Sequence, residues 1–309
     1  MIGVLGSSGF LGTNLCSKLR KLGYDYVKGS KSLDGRFNVD ARNHLSIDNW
    51  IKRNGITKII NLAAICGGIG LNKKNPFQLW KATTLITSSV LDSAITMKIE
   101  KVVMLGSVCS YAAECPVPFK EIDLMNHGFP EPTNRAYGVS KLNGLIGAAA
   151  AFQEYDLDVT NLVPVNMYGL HDHFDLENSH VIPALIRKMV EAKNDGLDEV
   201  VVWGSGRASR EFLYAEDCCD AIIKSLDKFT GPDMINIGSG SEITIKDLVI
   251  KIKDKVGYEG NIIWDDSKPD GQIRRCLNIS RAEKFLGWKP STNLDDGLEK
   301  TIKWYLESI

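Results

Sequence analysis

Short apolar runs alternate with amphipathic stretches through the first half of this chain. Runs at Ile2–Leu5, Asp25–Lys28, Lys58–Leu62, Lys101–Gly106 and Asp158–Val163 have the length of strands and are bounded by turn residues. Between them, apolar positions recur at three- and four-residue spacing over about 10–22, 45–54, 77–98 and 136–154, which predicts helices. This alternation predicts an α/β fold, a Rossmann-type doubly wound parallel sheet with helices on both faces. A helix over 181–194 follows a loop rich in His, Asp and Asn, and Val200–Trp203 and Met234–Ile237 read as further strands. Beyond about 241 the pattern becomes helix (Ile243–Val256), strand (Asn261–Trp264), short helix (Arg281–Leu286) and final helix (Leu294–Ser308). This tail is too short for an independent core. It predicts a smaller mixed α/β C-terminal part folded over the strand ends to bind substrate. The expected division is a dinucleotide-binding domain of 1–165 plus about 197–237, and a substrate-binding domain of about 166–196 plus 238–309.

Composition narrows the class. The 309 residues are 44% hydrophobic and 24% charged, as in a globular protein. A net charge of −1 gives no broad attraction to nucleic acid or an anionic membrane, so neither is an expected partner. No apolar run approaches a membrane span, and the first residues read as a strand rather than a signal peptide. The seven Cys, an odd number, lack paired metal-ligand spacing, so no metal site is expected. A reduced, cytoplasmic protein is the expectation.

Two motifs carry chemistry. The strand Ile2–Leu5 runs directly into Gly6-Ser7-Ser8-Gly9-Phe10-Leu11-Gly12 and then into a helix. This grammar sets backbone N–H groups and a helix N-terminus against a pyrophosphate. Gly6 serves the tight turn, Gly9 the approach of the phosphates, and Gly12 the packing of helix on sheet. The second motif is Tyr137-Gly-Val-Ser-Lys141, whose phenol and ammonium share one helix face. The ammonium is expected to lower the phenol pKa from its free value of about 10. A proton donor near neutral pH is what hydride reduction of a ketone requires. Other candidate groups gather at strand ends, at Asn61-Leu62-Ala63-Ala64 and Leu105-Gly106-Ser107. An acid after the second strand would bind the 2′-hydroxyl of NAD. Here Tyr26-Val-Lys28-Gly-Ser-Lys31 has two Lys and no acid, which favours the 2′-phosphate of NADP(H). Asp40, placed at the end of a third short strand, is a candidate adenine contact.

The glycine turn, Ser107 after a buried strand, and Tyr137/Lys141 together resemble the extended short-chain dehydrogenase/reductase family of sugar-nucleotide epimerases and dehydratases. The more discriminating pieces are Cys66-Gly-Gly-Ile69, Gly106-Ser-Val-Cys109, Glu131-Pro-Thr-Asn134 and Asn178-Ser-His-Val-Ile-Pro-Ala184. Val202-Trp-Gly-Ser-Gly206, Arg210-Glu-Phe-Leu213 and Ser267-Lys-Pro-Asp-Gly271 complete them. These resemble the branch of GDP-L-fucose synthases, over nearly the whole chain. Members of that branch epimerise C3 and C5 of a GDP-4-keto-6-deoxy-mannose and reduce C4 with NADPH. The resemblance implies Tyr137 as proton donor and Lys141 as the ribose-holding ammonium. It implies Ser107 as the hydroxyl on the sugar carbonyl, and Cys109 and His180 as the epimerase acid–base pair. It places Pro164, Asn166, Met167 and His180 at the cofactor, with Asn166 also at the sugar. Lys188 (where the family usually has Arg), Trp203, Arg210 and Asp270 are implied contacts to the GDP-linked substrate. The helices over 77–98 and 136–154 match those of a homodimer interface.

Several positions depart from the family. Ser8 replaces a basic residue in the glycine turn, so the 2′-phosphate site is weakened or rebuilt. Val108 replaces Ser, Ala112 replaces Pro, and Trp80-Lys-Ala82 stands where an Asn is usual. His171-Asp-His-Phe-Asp-Leu176 diverges in a loop expected near the sugar. The expected function is NADPH-dependent reduction of the C4 ketone of a GDP-4-keto-deoxy sugar with C3/C5 epimerisation. The departures suggest the alternative of a related substrate, a GDP-4-keto-6-deoxy-heptose or a colitose precursor, reduced at C4 with little or no epimerisation. A cofactor-recycling epimerase or dehydratase is a further alternative. Val108-Cys109, where dehydratases carry Asp-Glu, argues against the dehydratase. A non-catalytic NADP(H) sensor is the alternative of another class, and the complete Ser107/Tyr137/Lys141 set argues against it.

Overall fold

A computed structural model describes residues 1–176 and 179–309. In chain order the first half runs β1 (Ile2–Leu5), α1 (Phe10–Lys21), β2 (Tyr26–Gly29), α2 (His44–Asn54), β3 (Lys58–Asn61), α3 (Ile69–Lys74), α4 (Pro76–Thr96), β4 (Lys101–Leu105), α5 (Arg135–Tyr155) and β5 (Val159–Pro164). The second half continues β6 (Asn166–Tyr168), α6 (Val181–Asn194), β7 (Glu199–Trp203), β8 (Ser209–Tyr214), α7 (Ala215–Lys228), β9 (Met234–Ile237), β10 (Glu242–Thr244), α8 (Ile245–Val256), β11 (Asn261–Asp265) and α9 (Leu294–Ser308).

The main sheet has the order β2-β1-β3-β4-β5-β9, and every pairing is parallel. Its inner strands are apolar because helices cover both faces, and β1, β4 and β5 are almost wholly buried. On one face α1 and α7 seat Leu15, Leu19, Ile222 and Leu226. On the other, α2, α4 and α5 seat Ile47, Ile51, Ile86, Val90, Ala148 and Ala151. Each large aliphatic side chain so buried stabilises the fold by roughly 1.5–3 kcal/mol. The chain winds outward from β1 in both directions. The crevice of such a sheet opens between β1 and β3, at their carboxyl ends.

A smaller core unites α6, α8 and α9 around β7 and β8, through Ile186, Met189, Val202, Leu248, Ile252, Leu298 and Ile302. Here β8 lies between β6 and β10, and β11 pairs with β7. Within the segment 197–237, α7 and β9 pack on the main sheet, while β7 and β8 pair in the smaller sheets, with Leu213 of β8 still reaching the main core.

Other expectations are corrected by local chemistry. No strand ends at Asp40; Ser30 and Asn38 share one isolated bridge, and Arg42 grips the Asp40 carboxylate instead. The helix expected from Ile243 starts at Ile245, because Thr244 caps it by accepting from Asp247 N while residues 242–244 pair with β8. The short helix expected at Arg281–Leu286 is a single π-helical turn over Ala282–Leu286. The strand β8 reads Ser-Arg-Glu-Phe-Leu-Tyr and shows no alternation, because its Glu211 is fully buried.

Candidate active site

The glycine turn lies in the crevice. Gly6 has a φ of +79°, and a Cβ on Gly12 would stand 2.1 Å from the Gly6 carbonyl oxygen, so neither position accepts a side chain. Gly9 precedes α1 with no side chain capping the terminus, which leaves its first N–H groups free for an anion. Phe10 and Leu11 open the helix, and Ser7 is buried with its hydroxyl on the Gly29 carbonyl. Leu62 N donates to Leu5 O, and Ala63 N to the Asn61 side chain, so the Leu62–Ala64 segment forms the opposite wall. This cradle fits the pyrophosphate of a dinucleotide.

The departure at Ser8 is rebuilt rather than empty. Its hydroxyl lies 2.6 Å from Ser30 Oγ and 2.8 Å from Ser32 Oγ, and the latter two are 3.1 Å apart. Three exposed hydroxyls thus converge beside Lys31, a donor cluster suited to a 2′-phosphate. Lys31 also stands 3.9 Å from Asp40, whose carboxyl Arg42 holds down at about 2. Lys28, by contrast, faces Cys16 of α1. Ser30 and Ser32 escaped the sequence reading because single serines after a strand carry no pattern.

Ser107, Tyr137 and Lys141 meet at the carboxyl end of β4. Ser107 ends that strand, and its hydroxyl accepts from Cys109 N at 3.1 Å, bending Val108–Ser110 into a tight turn. The turn packs directly on α5. A Cβ on Gly138 would lie 2.2 Å from Cys109 O, so only Gly lets the Tyr137 helix approach so closely. Burial raises the Tyr137 pKa well above its ordinary value, helped by the nearby Cys66 and Cys109; the Ser107 hydroxyl acts the other way. Lys141 does not lower the phenol as expected. Its ammonium donates to Leu105 O at 2.8 Å, lies 5.9 Å from the Tyr137 ring centroid, and has its own pKa lowered by burial. Desolvation outweighs the charge because the ammonium is spent on a strand-end carbonyl.

Cys109 is half-buried beside this set. His180 sits at the N-terminus of α6 without capping it, and burial, aided by His173, lowers its pKa. Its loop packs on the Cys66–Ile69 segment, where a Cβ on Gly68 would come 2.9 Å from Ser179 O. Pro164 ends β5, and Asn166 and Met167 begin β6; Asn166 donates to Glu211 O at 3.1 Å. Asn178 lies outside the described residues.

The distal contacts gather on β7, β8 and the loop after β11. Trp203 is 56% exposed, with the Lys188 and Lys268 ammoniums 5.9 and 5.5 Å from its ring centroid. Lys188 donates to Val201 O. Arg210 donates to Ser209 O and Asp270 O, and burial, with Arg275 beside it, lowers its pKa to about 10. Asp270 spends its carboxylate on Ser205 N and Oγ. It shapes the loop around Arg210.

Three departures lie away from this surface. Val108 and Ala112 are buried in the main core, and Trp80 lies against Phe77 in a tilted ring contact on the outer face of α4. The Val108 side chain packs in the core rather than on this surface.

The loop after β6 holds a residue the sequence reading named only in passing. Asp172 is 7% exposed, its Oδ1 accepts from His173 N, and its Oδ2 has no hydrogen-bond partner among the described residues. Burial pushes its pKa from 3.8 to about 7. A carboxyl raised on folding stabilises fully below its unfolded pKa, and that contribution is lost as pH rises toward 7. Asp172→Asn is therefore expected to be more stable than the parent at pH 8, by up to about 4 kcal/mol, and equal to it below about pH 4. Thermal melts across that range check the sign.

A nucleotide cradle joined to a Ser/Tyr/Lys site defines an enzyme of the epimerase and dehydratase class. Residues 2–238 match the model of the NAD dependent epimerase/dehydratase family, and the chain belongs to that family. It is 37% identical over 306 residues to a protein named Putative GDP-L-fucose synthase 2 from Arabidopsis thaliana, covering 99% of this chain and 92% of that one. Its fold matches a GDP-6-OMe-4-keto-L-xylo-heptose reductase from C. jejuni with a TM-score of 0.91 at 25% identity, covering 100% and 98% of the two chains. It also matches a GDP-mannoheptose C4 reductase from Campylobacter jejuni with NADP bound, with a TM-score of 0.83 at 25% identity over 99% and 98%. Among the described residues, no helix is long and apolar enough to cross a membrane, and no His/Cys/Asp/Glu group is arranged to hold a metal.

Proposed function

We propose that this protein is an NADPH-dependent 4-ketoreductase of a GDP-linked 4-keto-deoxy sugar, with C3/C5 epimerisation by Cys109 and His180. The observation that carries the reading is the meeting of Ser107, Tyr137, Lys141 and Cys109 at one strand end, beside the glycine turn. Bound NADPH supplies the hydride for C4. Ser107 and Tyr137 hydrogen-bond the carbonyl oxygen, and the phenol gives its proton as charge develops there. Lys141, whose ammonium donates to the Leu105 carbonyl, holds the ribose in this reading. For epimerisation, the C4 ketone acidifies the neighbouring C–H bonds; Cys109 and His180 remove and return protons on opposite ring faces. Trp203 between two ammoniums suits guanine stacking and the diphosphate charge.

The test is incubation with a panel of GDP-4-keto-6-deoxy hexoses and heptoses in deuterated water, with and without NADPH. NADPH oxidation with deuterium entering C3 or C5 is expected. Oxidation without deuterium leaves a reductase alone, the reading that the matched heptose reductases favour. No oxidation with any member would sink the proposal. In the cofactor site, Ser8→Ala combined with Ser32→Ala is expected to weaken NADPH binding about tenfold while leaving NADH unchanged, because only the 2′-phosphate meets those hydroxyls. Titration of NADPH fluorescence measures both.

The same reading extends to assembly and place. Phe77, Trp80 and Leu85 on α4 and Ile146 on α5 expose large apolar surface on adjacent helices, which suits a homodimer. The free cysteines suit a cytoplasmic enzyme.

A further inference from the structure

Two side chains that the reaction scheme does not use hold the Cys109 sulfur. Asn134 Nδ2 donates to Sγ at 3.5 Å, and Arg275 Nη1 donates at 3.6 Å. Both residues are buried, at 8% and 7% exposure. Asn134 is set by the turn that opens α5, and Arg275 by the strap that follows β11. A buried guanidinium is costly unless an anion accompanies it. Arg275 has no such carboxylate among the described residues. Its Nε donates to the neutral Gln272 Oε1 at 3.2 Å, and Arg210, a second cation, lies beside it. Sulfur accepting from two N–H donors fits a thiolate better than a thiol, whose lone pairs are weak acceptors. The other charged or titratable groups that face Cys109 are Cys66 from the loop after β3, Tyr137 from α5 and Arg210 from β8. Asn134 contributes a second sign: its Oδ1 is buried without a hydrogen-bond partner among the described residues, an acceptor left open next to the sulfur.

We infer that Arg275 and Asn134 are positioning residues that hold Cys109 as an anion aimed at the sugar ring, with Asn134 Oδ1 open to a sugar hydroxyl. The inference rests on the reading of Cys109 as the epimerase base. In that step an S–H bond forms as a C–H bond next to the C4 ketone breaks. The electron pair moves into the enolate and onto the C4 oxygen. Arg275 exchanges no proton; its positive charge faces the thiolate before the step and the neutral thiol after it.

The test uses the full chain as Arg275→Gln, Arg275→Lys, Asn134→Ala and Cys109→Ser. One readout is the rate at which iodoacetamide alkylates Cys109 at about pH 7, followed by peptide mass, since only the thiolate reacts. The other is deuterium entry into GDP-4-keto-6-deoxy-mannose without NADPH. NADPH affinity reports whether each variant is folded. Arg275→Gln is expected to slow both alkylation and deuterium entry at least about tenfold, Asn134→Ala to slow both less, and Arg275→Lys to restore most of the loss. If Arg275→Gln keeps both rates within about twofold, or Arg275→Lys is no better than Gln, the positioning role is overturned. If Arg275→Gln does not fold, Arg275→Lys and Asn134→Ala decide: parental rates in both overturn it. Cys109→Ser separates the two claims. Loss of deuterium entry there, with parental entry in Arg275→Gln, overturns the positioning role alone. Deuterium entry that survives in Cys109→Ser overturns the base reading and the positioning role with it.

Discussion

Tyr137→Phe is expected to lower turnover of a GDP-4-keto sugar by about 10²–10⁴-fold, the range for loss of a positioned general acid. The substitution removes one oxygen and keeps the ring, so α5 still packs through Gly138 on the Cys109 turn. NADPH affinity should therefore stay close to that of the parent. What disappears is the proton given to the C4 oxygen as hydride arrives. Ser107 cannot replace it: its hydroxyl accepts from Cys109 N and can still donate a hydrogen bond to the carbonyl oxygen, but an aliphatic alcohol is far less acidic than a phenol and does not give up its proton. Burial raises the phenol pKa in the ligand-free site, which keeps the proton on the oxygen until charge develops opposite it. Steady-state NADPH oxidation, with pre-steady-state measurement of the hydride step, checks the size of the loss. A Phe variant at full speed would remove Tyr137 from the chemistry.

Glu211→Ala is expected to produce the largest loss of stability, about 3–5 kcal/mol, seen as a drop in melting temperature on the order of 10 °C. Glu211 is fully buried in β8 and joins three parts of the chain. One carboxylate oxygen accepts from Gly240 N at 2.6 Å and from Ser239 Oγ at 3.4 Å. The other accepts from Leu277 N at 2.6 Å. These contacts tie the turn after β9 and the strap after β11 to the sheet of the smaller unit. Alanine would strand the buried Leu277 N–H, take the acceptor from the Gly240 N–H, and open a void beside Gly238, where no side chain fills the space. Glu211→Gln keeps one strong acceptor and should fall between. The same strap carries Arg275 to the active site, so Glu211→Ala should also loosen the hold on Cys109. An Ala variant that melts within about 3 °C of the parent would show that Glu211 does not join these segments.

The parallel sheet was legible because periodicity reports burial, and β1, β9 and α9 fall where the pattern of apolar residues puts them. The glycine turn was legible because only a chain without side chains can make that bend and that approach. Pattern failed where a polar residue is inside. Ser209–Tyr214 hides Glu211, so β8 and the three-stranded sheet it centres were missed. Spacing put Tyr137 and Lys141 on one face, yet it carried no information about the Leu105 carbonyl that occupies the ammonium. Ser8, Ser30 and Ser32 stand 22 and 24 residues apart, and Cys109, Asn134 and Arg275 stand 25 and 166 apart. Local order along the chain thus determined the sheet, the nucleotide turn and the candidates for the reacting side chains. Tertiary structure alone decided which distant polar groups surround them, because desolvation and hydrogen-bond partners depend on distance in space, which separation along the chain does not set.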